Sequence, residues 1–285
     1  MGKPIDMAGR ICVVTGATRG IGRATAEGLT QLGATVVLTA RRPEDGAKVS
    51  REIATTAPVE PIVVTADLSS QASIRQAAAE LGRLFPHLHV LINNAGIFTR
   101  RREVTVDGLE MQFAVNHLAY FLLTNLLLDQ LKAGAPSRII NVSSGAHGGA
   151  TLDFDNLQGE RAYSGNRAYS QSKLANILFT YELARRLQGT GVTANCLHPG
   201  VIATKLLADY VGVPVAGRAL ARTFGARPSQ GAETSIYLAT SPEVEGVTSK
   251  YFEGRRERRS SRESYDEAGA RRLWEISERL TGVAS

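Results

Sequence analysis

Tyr169 and Lys173, in the stretch NRAYSQSKLAN (166–176), stand four positions apart. On a helix that spacing puts both side chains on one face, a little over one turn from each other. A free tyrosine has a pKa near about 10, so at neutral pH roughly one in a thousand is ionised. An ammonium about 5 Å away, at an effective dielectric near 20, is worth about 3 kcal/mol, or about two pKa units. The pair therefore has the makings of a general acid/base that exchanges a proton with an alcohol. The same spacing also arises by accident on helix surfaces, so its meaning depends on what the rest of the chain brings to it.

A second chemistry-bearing stretch is TGATRGIG (15–22). Gly16, Gly20 and Gly22 let the backbone turn tightly and approach a pyrophosphate, while the following helix offers free N–H groups and the positive end of its dipole. The spacing G-x-x-x-G-x-G departs from the generic G-x-G-x-x-G fingerprint. The next apolar run, TVVLTA, ends at Arg41, 19 residues after Gly22. An acid there would grip the ribose hydroxyls of NAD; an arginine instead accepts the 2′-phosphate of NADP, and Arg19 stands within the same turn. TADLSS (65–70) places Asp67 and Leu68 at the end of a third strand, and NNAG (93–96) ends a fourth. Asn side chains brace strand ends, while Ala95 and Gly96 leave room for a ring beside the backbone. RIINVSS (138–144) delivers Ser143 and Ser144 to the end of a fifth strand, where a hydroxyl can hydrogen-bond a carbonyl oxygen. Geometry does not choose between the two.

These residues need elements to position them. Apolar, β-branched runs recur at 11–15, 35–39, 62–66, 90–92, 138–142, 192–197 and, more weakly, 247–252. Helical spacing fills the intervals from near Ile21, over 71–85, 108–131, 168–188 and 229–239, with a last helix in EAGARRLWEISERL. Alternating strands and helices predict a single α/β domain over residues 1–285, a doubly wound (Rossmann-type), mostly parallel sheet with helices on both faces. Ligands then bind where the strand C-termini meet. Residues 201–228 read as an irregular excursion, and 253–267 as a charged loop.

With 43% hydrophobic and 21% charged residues, the composition is that of a globular protein. The net charge of +6 is local: RRERRSSRE (255–263) holds five Arg and two Glu, a solvated loop rather than a nucleic-acid site, since no interleaved aromatics accompany it. Cys12 and Cys196 lie in separate strand-like runs and make no disulfide framework, which fits a reducing, cytoplasmic setting. The N-terminal residues show no apolar signal region. The apolar segment 118–131 is too short for a bilayer and is interrupted by Asn125 and Asp129, so no membrane span is expected. HLH (87–89) lacks companion ligands, so no metal site is expected. His147 and His198, near the site, read as packing or orienting residues.

TGATRGIG, DLSS, NNAG, NVSSGAH, YSQSK and LHPGVIAT occur in an order and spacing that resembles the short-chain dehydrogenase/reductase family over essentially the whole chain. NLQG, SKLANILFTYELARRL and RRLWEISERLTG are similar to its retinol dehydrogenase-like branch, whose members interconvert apolar carbonyl compounds and alcohols with NADP(H). The resemblance implies a seven-stranded sheet. It implies Tyr169 as acid/base, Lys173 beside it and on the nicotinamide ribose, Ser144 rather than Ser143 on the substrate oxygen, and Asn116 anchoring a water relay. It also implies a cofactor site made from Gly16, Thr18, Arg19, Gly20, Ile21, Gly22, Arg41, Asp67, Leu68, Asn94, Ala95 and Gly96. Pro199, Gly200, Val201 and Thr204 would complete it, the last two near the carboxamide.

The helix 118–131 and the Tyr169 helix resemble the pair through which many family members dimerise, so a homodimer is expected. The excursion after HPGVIAT, with Leu206, Leu207, Tyr210, Val211, Val213, Val215, Leu220 and Phe224, reads as an apolar lid over the substrate. A non-catalytic NADP-binding regulator, or an epimerase or dehydratase on the same fold, remains as an alternative, because fold does not fix reaction.

Overall fold

Four β-branched or apolar residues in a row, Ile11–Val14, form β1, and the parallel partners on its two sides are β2 (Thr35–Ala40) and β4 (Val90–Asn93). β3 (Ile62–Thr65), β5 (Ser137–Val142), β6 (Val192–His198) and β7 (Tyr251–Glu253) extend the parallel sheet, and β8 (Arg256–Arg258) closes it antiparallel, in the order β3-β2-β1-β4-β5-β6-β7-β8. The computed structural model describes residues 6–202, 205–210 and 226–283.

The pleat sorts the strand residues into two cores. Val13, Val37, Leu91 and Ile139 face α3 (Gln71–Leu84), α5 (Ala119–Leu126) and α7 (Gly165–Arg186). Cys12, Val14, Val36, Leu38, Ile92 and Ile140 face the other way, toward α1 (Gly20–Gln31), α2 (Pro43–Ala54) and α9 (Pro228–Thr240). Because both faces are covered, the strands read as continuous apolar runs rather than alternating ones. Successive strands run outward from β1 in one direction and from β4 in the other. The chain therefore opens a crevice at the C-terminal ends of β1 and β4, where a doubly wound sheet takes its ligand.

Two stretches differ from the sequence-based expectation. The sheet has eight strands rather than seven, because the Arg-rich stretch expected as a charged loop folds into a hairpin. Gly254 (φ 57°) and Arg255 (φ 62°) both adopt the left-handed region at its turn, the pattern of a tight two-residue hairpin. Its outer strand buries no side chain, so it carries no apolar alternation to read. α2 was also not expected: Gly46 and six charged residues between Arg42 and Glu52 mask its narrow apolar stripe of Val49 and Ile53. Its readable marks are Pro43 at the first turn and Glu44 and Asp45 at the positive end of the helix dipole.

The apolar segment expected as one helix is broken. α4 (Met111–Phe113) passes into a π turn, Ala114–Leu118, before α5 and α6 (Leu128–Ala133). The face of α5 and α7 that called for a second copy as cover is covered within the chain by α10 (Glu267–Thr281). Trp274 of α10 lies edge-on to Phe121 at 4.9 Å and stacks on Phe179 at 5.7 Å, and the Arg186 guanidinium covers the indole at 4.1 Å. Asp266 caps α10 by accepting from Gly269 N, and Gly282, left-handed at φ 63°, ends it. Cys12 and Cys196 are free and buried in β1 and β6. No helix of the described residues is long and apolar enough to cross a membrane.

Candidate active site

α7 begins at Ser164, whose hydroxyl accepts from Arg167 N, and at Gly165, where any Cβ would collide with the carbonyl of Thr99. Tyr169 and Lys173 follow on one face of this helix, both buried beneath the strand ends. The Lys173 ammonium lies 5.6 Å from the Tyr169 ring centre and donates to the Val142 carbonyl at 3.1 Å. The extended residue Ser144 follows β5; its hydroxyl accepts from Ala146 N at 3.2 Å and lies beside the Tyr169 side chain. The Ser143 hydroxyl is turned away and donates to the Lys173 carbonyl at 2.8 Å.

Burial pushes the Tyr169 hydroxyl up to about 12, against the opposing effect of the Ser144 hydrogen bond. Burial also brings the Lys173 ammonium down to about 7. The direction at Tyr169 is the reverse of the one the spacing suggests. Withdrawing both groups from water disfavours both charged forms, and that cost outweighs the attraction between them. The tyrosine is thereby held in its proton-bearing form.

Asn116 sits in the π turn, a local widening that often marks a functional site. Its side chain is fully engaged: Oδ1 accepts from Ile97 N at 2.8 Å, while Nδ2 donates to Ile97 O at 3.1 Å and Ser172 Oγ at 3.0 Å. It clamps the segment after Gly96 onto the Tyr169 helix. A water relay through this residue would have to use its main chain.

The glycine turn lies directly opposite. Gly16 (φ 65°) approaches Ala95 so closely that a Cβ would overlap its Cα at 2.8 Å. Asn94 turns its amide inward, donating to Thr15 O at 2.8 Å, so it braces the turn rather than facing the crevice. Asp67 accepts from both the main chain and the hydroxyl of Ser69, and Leu68 packs against the core. Thr18 and Ile21 are half-buried and Arg19 is exposed. Pro199 and Gly200 (φ 90°) leave β6, Val201 is 66% exposed, and Ile202 bridges to Ala226. Thr204 and the lid positions from Val211 to Phe224 lie outside the described residues.

Several features fit a dinucleotide. α1 starts with no side-chain cap and no acid in its first turn, which leaves its N–H groups and positive dipole end open to an anion. At Gly96 an added Cβ would meet Lys173 Nζ at 3.4 Å and Asn116 Oδ1 at 3.6 Å, so the bare glycine keeps the lysine reachable from the crevice. The two neighbouring arginines differ: Arg42 is tied to Asp45 at 2.6 Å, whereas Arg41 is exposed and has no ion pair among the described residues. Among the described residues no group of three or more His, Cys, Asp or Glu could hold a metal ion.

The structure also brings in Phe98 and Tyr120, which no motif assigned, and Tyr210, which was expected in the lid. Phe98 meets Tyr169 edge-on at 6.0 Å, and Tyr210, at the end of α8 (Lys205–Tyr210), lies 5.2 Å from Tyr169 and 5.5 Å from Phe98. Tyr120 donates to Ala95 O at 2.7 Å, holding the strand end in place. Phe98 stands two residues after the NNAG turn, which is the one signal that could have pointed to it.

A family model described as short chain dehydrogenase matches residues 10–211. Human retinol dehydrogenase 14 is 46% identical over 99% of this chain and 89% of its own length, and human retinol dehydrogenase 11 is 45% identical over 98% and 88%. Among solved structures, an uncharacterized protein from Mycobacterium paratuberculosis is 34% identical with a TM-score of 0.81, over 99% of this chain and 96% of its own. The RhlG/NADP active-site complex of Pseudomonas aeruginosa is 30% identical with a TM-score of 0.72, over 88% and 97%.

Proposed function

The chain belongs to the short-chain dehydrogenase family, in its retinol dehydrogenase-like branch, and from that premise we propose that it interconverts an apolar aldehyde or ketone and its alcohol with NADP(H). One observation carries this reading: a buried, proton-bearing Tyr169, beside Ser144 and one turn from Lys173, under the rings of Phe98 and Tyr210.

When bound, the nicotinamide supplies the hydride in reduction and accepts it in oxidation. This chain's residues supply the rest. Ser144 hydrogen-bonds the carbonyl oxygen and stabilises the charge that grows there. Tyr169 donates its proton to that oxygen as the carbon is reduced, and takes it back from the alcohol in the reverse direction. A hydroxyl raised above its ordinary value keeps its proton near neutrality, the form in which Tyr169 acts as the acid. Lys173 replaces the proton from its own store, since burial leaves it near neutrality.

The residues that would hold NADP(H) are Gly16, Thr18, Arg19, Gly20, Ile21 and Gly22 at the phosphates, with Arg41 and Arg19 on the 2′-phosphate. Asp67, Leu68, Asn94, Ala95 and Gly96 would line the adenosine and ribose side, and Tyr169, Lys173, Pro199, Gly200, Val201 and Thr204 the nicotinamide side. Asn94 and Asn116 contribute by shaping the walls. Support for NADP(H) comes from the exposed Arg41, which has no ion pair among the described residues, and from the name of the RhlG/NADP complex.

The rings of Phe98 and Tyr210 favour an apolar substrate, and retinol, in the names of the relatives, is one such alcohol. Homodimerisation through α5 and α7 would require α10 to leave, so this reading takes the chain to act without that interface. A cytoplasmic location belongs to the same reading; recovery in a washed membrane pellet overturns it. The decisive experiment follows NADPH absorbance with a panel of aldehydes and ketones. Consumption with apolar carbonyls supports the reading. Tight NADPH binding with no consumption favours the regulator, and conversion of a substrate without net cofactor change favours an epimerase or dehydratase.

A further inference from the structure

Ser144 must hold its hydroxyl against Tyr169, yet it lies on a short turn at a strand end, where main chain is free to rock. Its neighbour three residues on is placed to prevent this. His147 ends the 3₁₀ turn Gly145–His147, is 6% exposed, and packs its ring on Tyr251 at 5.1 Å. Nδ1 lies 2.7 Å from the Ser144 carbonyl. A carbonyl only accepts, so this nitrogen carries the hydrogen. Nε2 accepts from Ser261 N at 3.1 Å and is therefore bare. One tautomer of one ring thus satisfies both neighbours.

Ser261 belongs to the Arg-rich segment, and its own position is fixed from α7. The Tyr181 hydroxyl pairs with Ser260 Oγ at 2.8 Å, Ser260 Oγ with Ser264 Oγ at 2.6 Å, and Ser264 Oγ donates to Ser261 O at 2.7 Å. Tyr181 stands on the helix that carries Tyr169, three turns further along. The Ser144 turn is therefore tied to that helix twice: directly, through Ser143 and the Lys173 carbonyl, and again through His147, Ser261 and the serine cluster.

Resting on the reaction proposed above, we infer that His147 is a positioning residue: Nδ1–H holds the Ser144 carbonyl and so sets the attitude of Ser144 toward Tyr169, while Nε2 anchors the ring to the Arg-rich segment. The ring's two bonds can be separated by substitution. Asn places an amide N–H where Nδ1 lies but cannot reach Ser261. Gln places an acceptor near Nε2 but leaves the Ser144 carbonyl without its side-chain partner.

The test compares His147→Asn, His147→Gln and His147→Phe for NADPH consumption with decanal, alongside thermal midpoints. Misplacing a group at the reacting atoms costs up to about 100-fold, so Gln and Phe should lower kcat by roughly 10- to 100-fold with the NADPH KM unchanged. Asn should stay within about threefold of the parent kcat even though its midpoint falls below that of Gln. Equal losses in Asn and Gln, or a Gln variant faster than Asn, overturn the inference and leave His147 a packing residue. A parent protein that consumes no NADPH counts against the proposed reaction instead. The ring is then read by imidazole ¹⁵N resonances of the intact protein: a protonated Nδ1 with a bare Nε2 supports the two-bond anchor, and the opposite tautomer overturns it.

Discussion

Ser143 and Ser144 are neighbours in the chain, but their hydroxyls serve opposite partners: Ser143 donates back to the Lys173 carbonyl at 2.8 Å, while Ser144 accepts from Ala146 N at 3.2 Å on the side of Tyr169. Replacing each by Ala should therefore separate two effects. Ser144→Ala is expected to lower kcat by about 100-fold, the scale of losing one donor at a developing oxyanion, with little change in stability. Ser143→Ala leaves a helix carbonyl without its buried donor and should cost about 1–3 kcal/mol in urea unfolding while retaining most turnover. If the two effects trade places between the variants, the assignment of the serines is reversed.

Tyr169→Phe keeps the ring packed between Phe98 and Tyr210 and removes the proton. Turnover should fall by at least about 100-fold, while NADPH still binds and quenches protein fluorescence. A near-normal rate would mean that the proton reaches the substrate from another group.

The buried lysine gives the free protein a stability that depends on pH. Lys173 titrates near about 7 when folded and near 10.5 when exposed, so the unfolded chain binds more protons in between. Stability should accordingly rise with pH through that interval. Tyr169 is raised from 10.0 to about 12 and Cys12 from 9.0 to about 12, so their opposing effects begin only above pH 9. The window from about pH 7 to 9 thus isolates the lysine. Unfolding midpoints in urea should climb across it, and Lys173→Met should flatten the climb; an equal slope in both proteins would show that the ammonium is better solvated than its burial implies.

Arg41 and Arg42 adjoin each other, but among the described residues only Arg42 forms an ion pair, to Asp45 at 2.6 Å. Arg41→Asp should abolish a preference for NADPH over NADH of roughly 10- to 100-fold, the worth of a charge-assisted contact of about 1.5–3 kcal/mol. Arg42→Asp should leave the preference in place. Equal kcat/KM with both cofactors in the unmodified protein would remove the 2′-phosphate argument altogether.

The rings over Tyr169 predict how rate responds to substrate length. Each methylene buried is worth about 0.8 kcal/mol, so kcat/KM should rise by about threefold to fourfold per carbon along straight-chain aldehydes until the apolar space is filled. Phe98→Ala should weaken long aldehydes more than short ones. A flat or falling series in the unmodified protein would speak for a polar substrate.

Much of this site could be read from the chain because each piece depends on local geometry. Tyr169 and Lys173 share a face by helical spacing, and Gly16 marks a close approach that only glycine allows. What escaped reading depends on long-range packing or on burial. The rise at Tyr169 comes from exclusion of water, which no spacing reveals. Phe98 and Tyr210 meet through elements 112 residues apart in the chain. The engaged side chains of Asn94 and Asn116 are legible as asparagines near the site, but not as braces. β8 has no buried face, so its arginines conceal it. α10 was legible as a helix, while its seat on α7 was not, since nothing in RRLWEISERL names the partner of Trp274.

That seat has a consequence for the order in which the molecule comes into being. The aromatic wall against which Phe121 and Phe179 close is delivered by Trp274, 95 residues after Phe179 in the chain. The helix bearing Tyr169 leaves the ribosome about a hundred residues earlier and must wait for its outer layer, because a domain gains its packing as a unit. A message cut short just before Trp274 would therefore yield a polypeptide with every catalytic motif intact and the back of its catalytic helix uncovered.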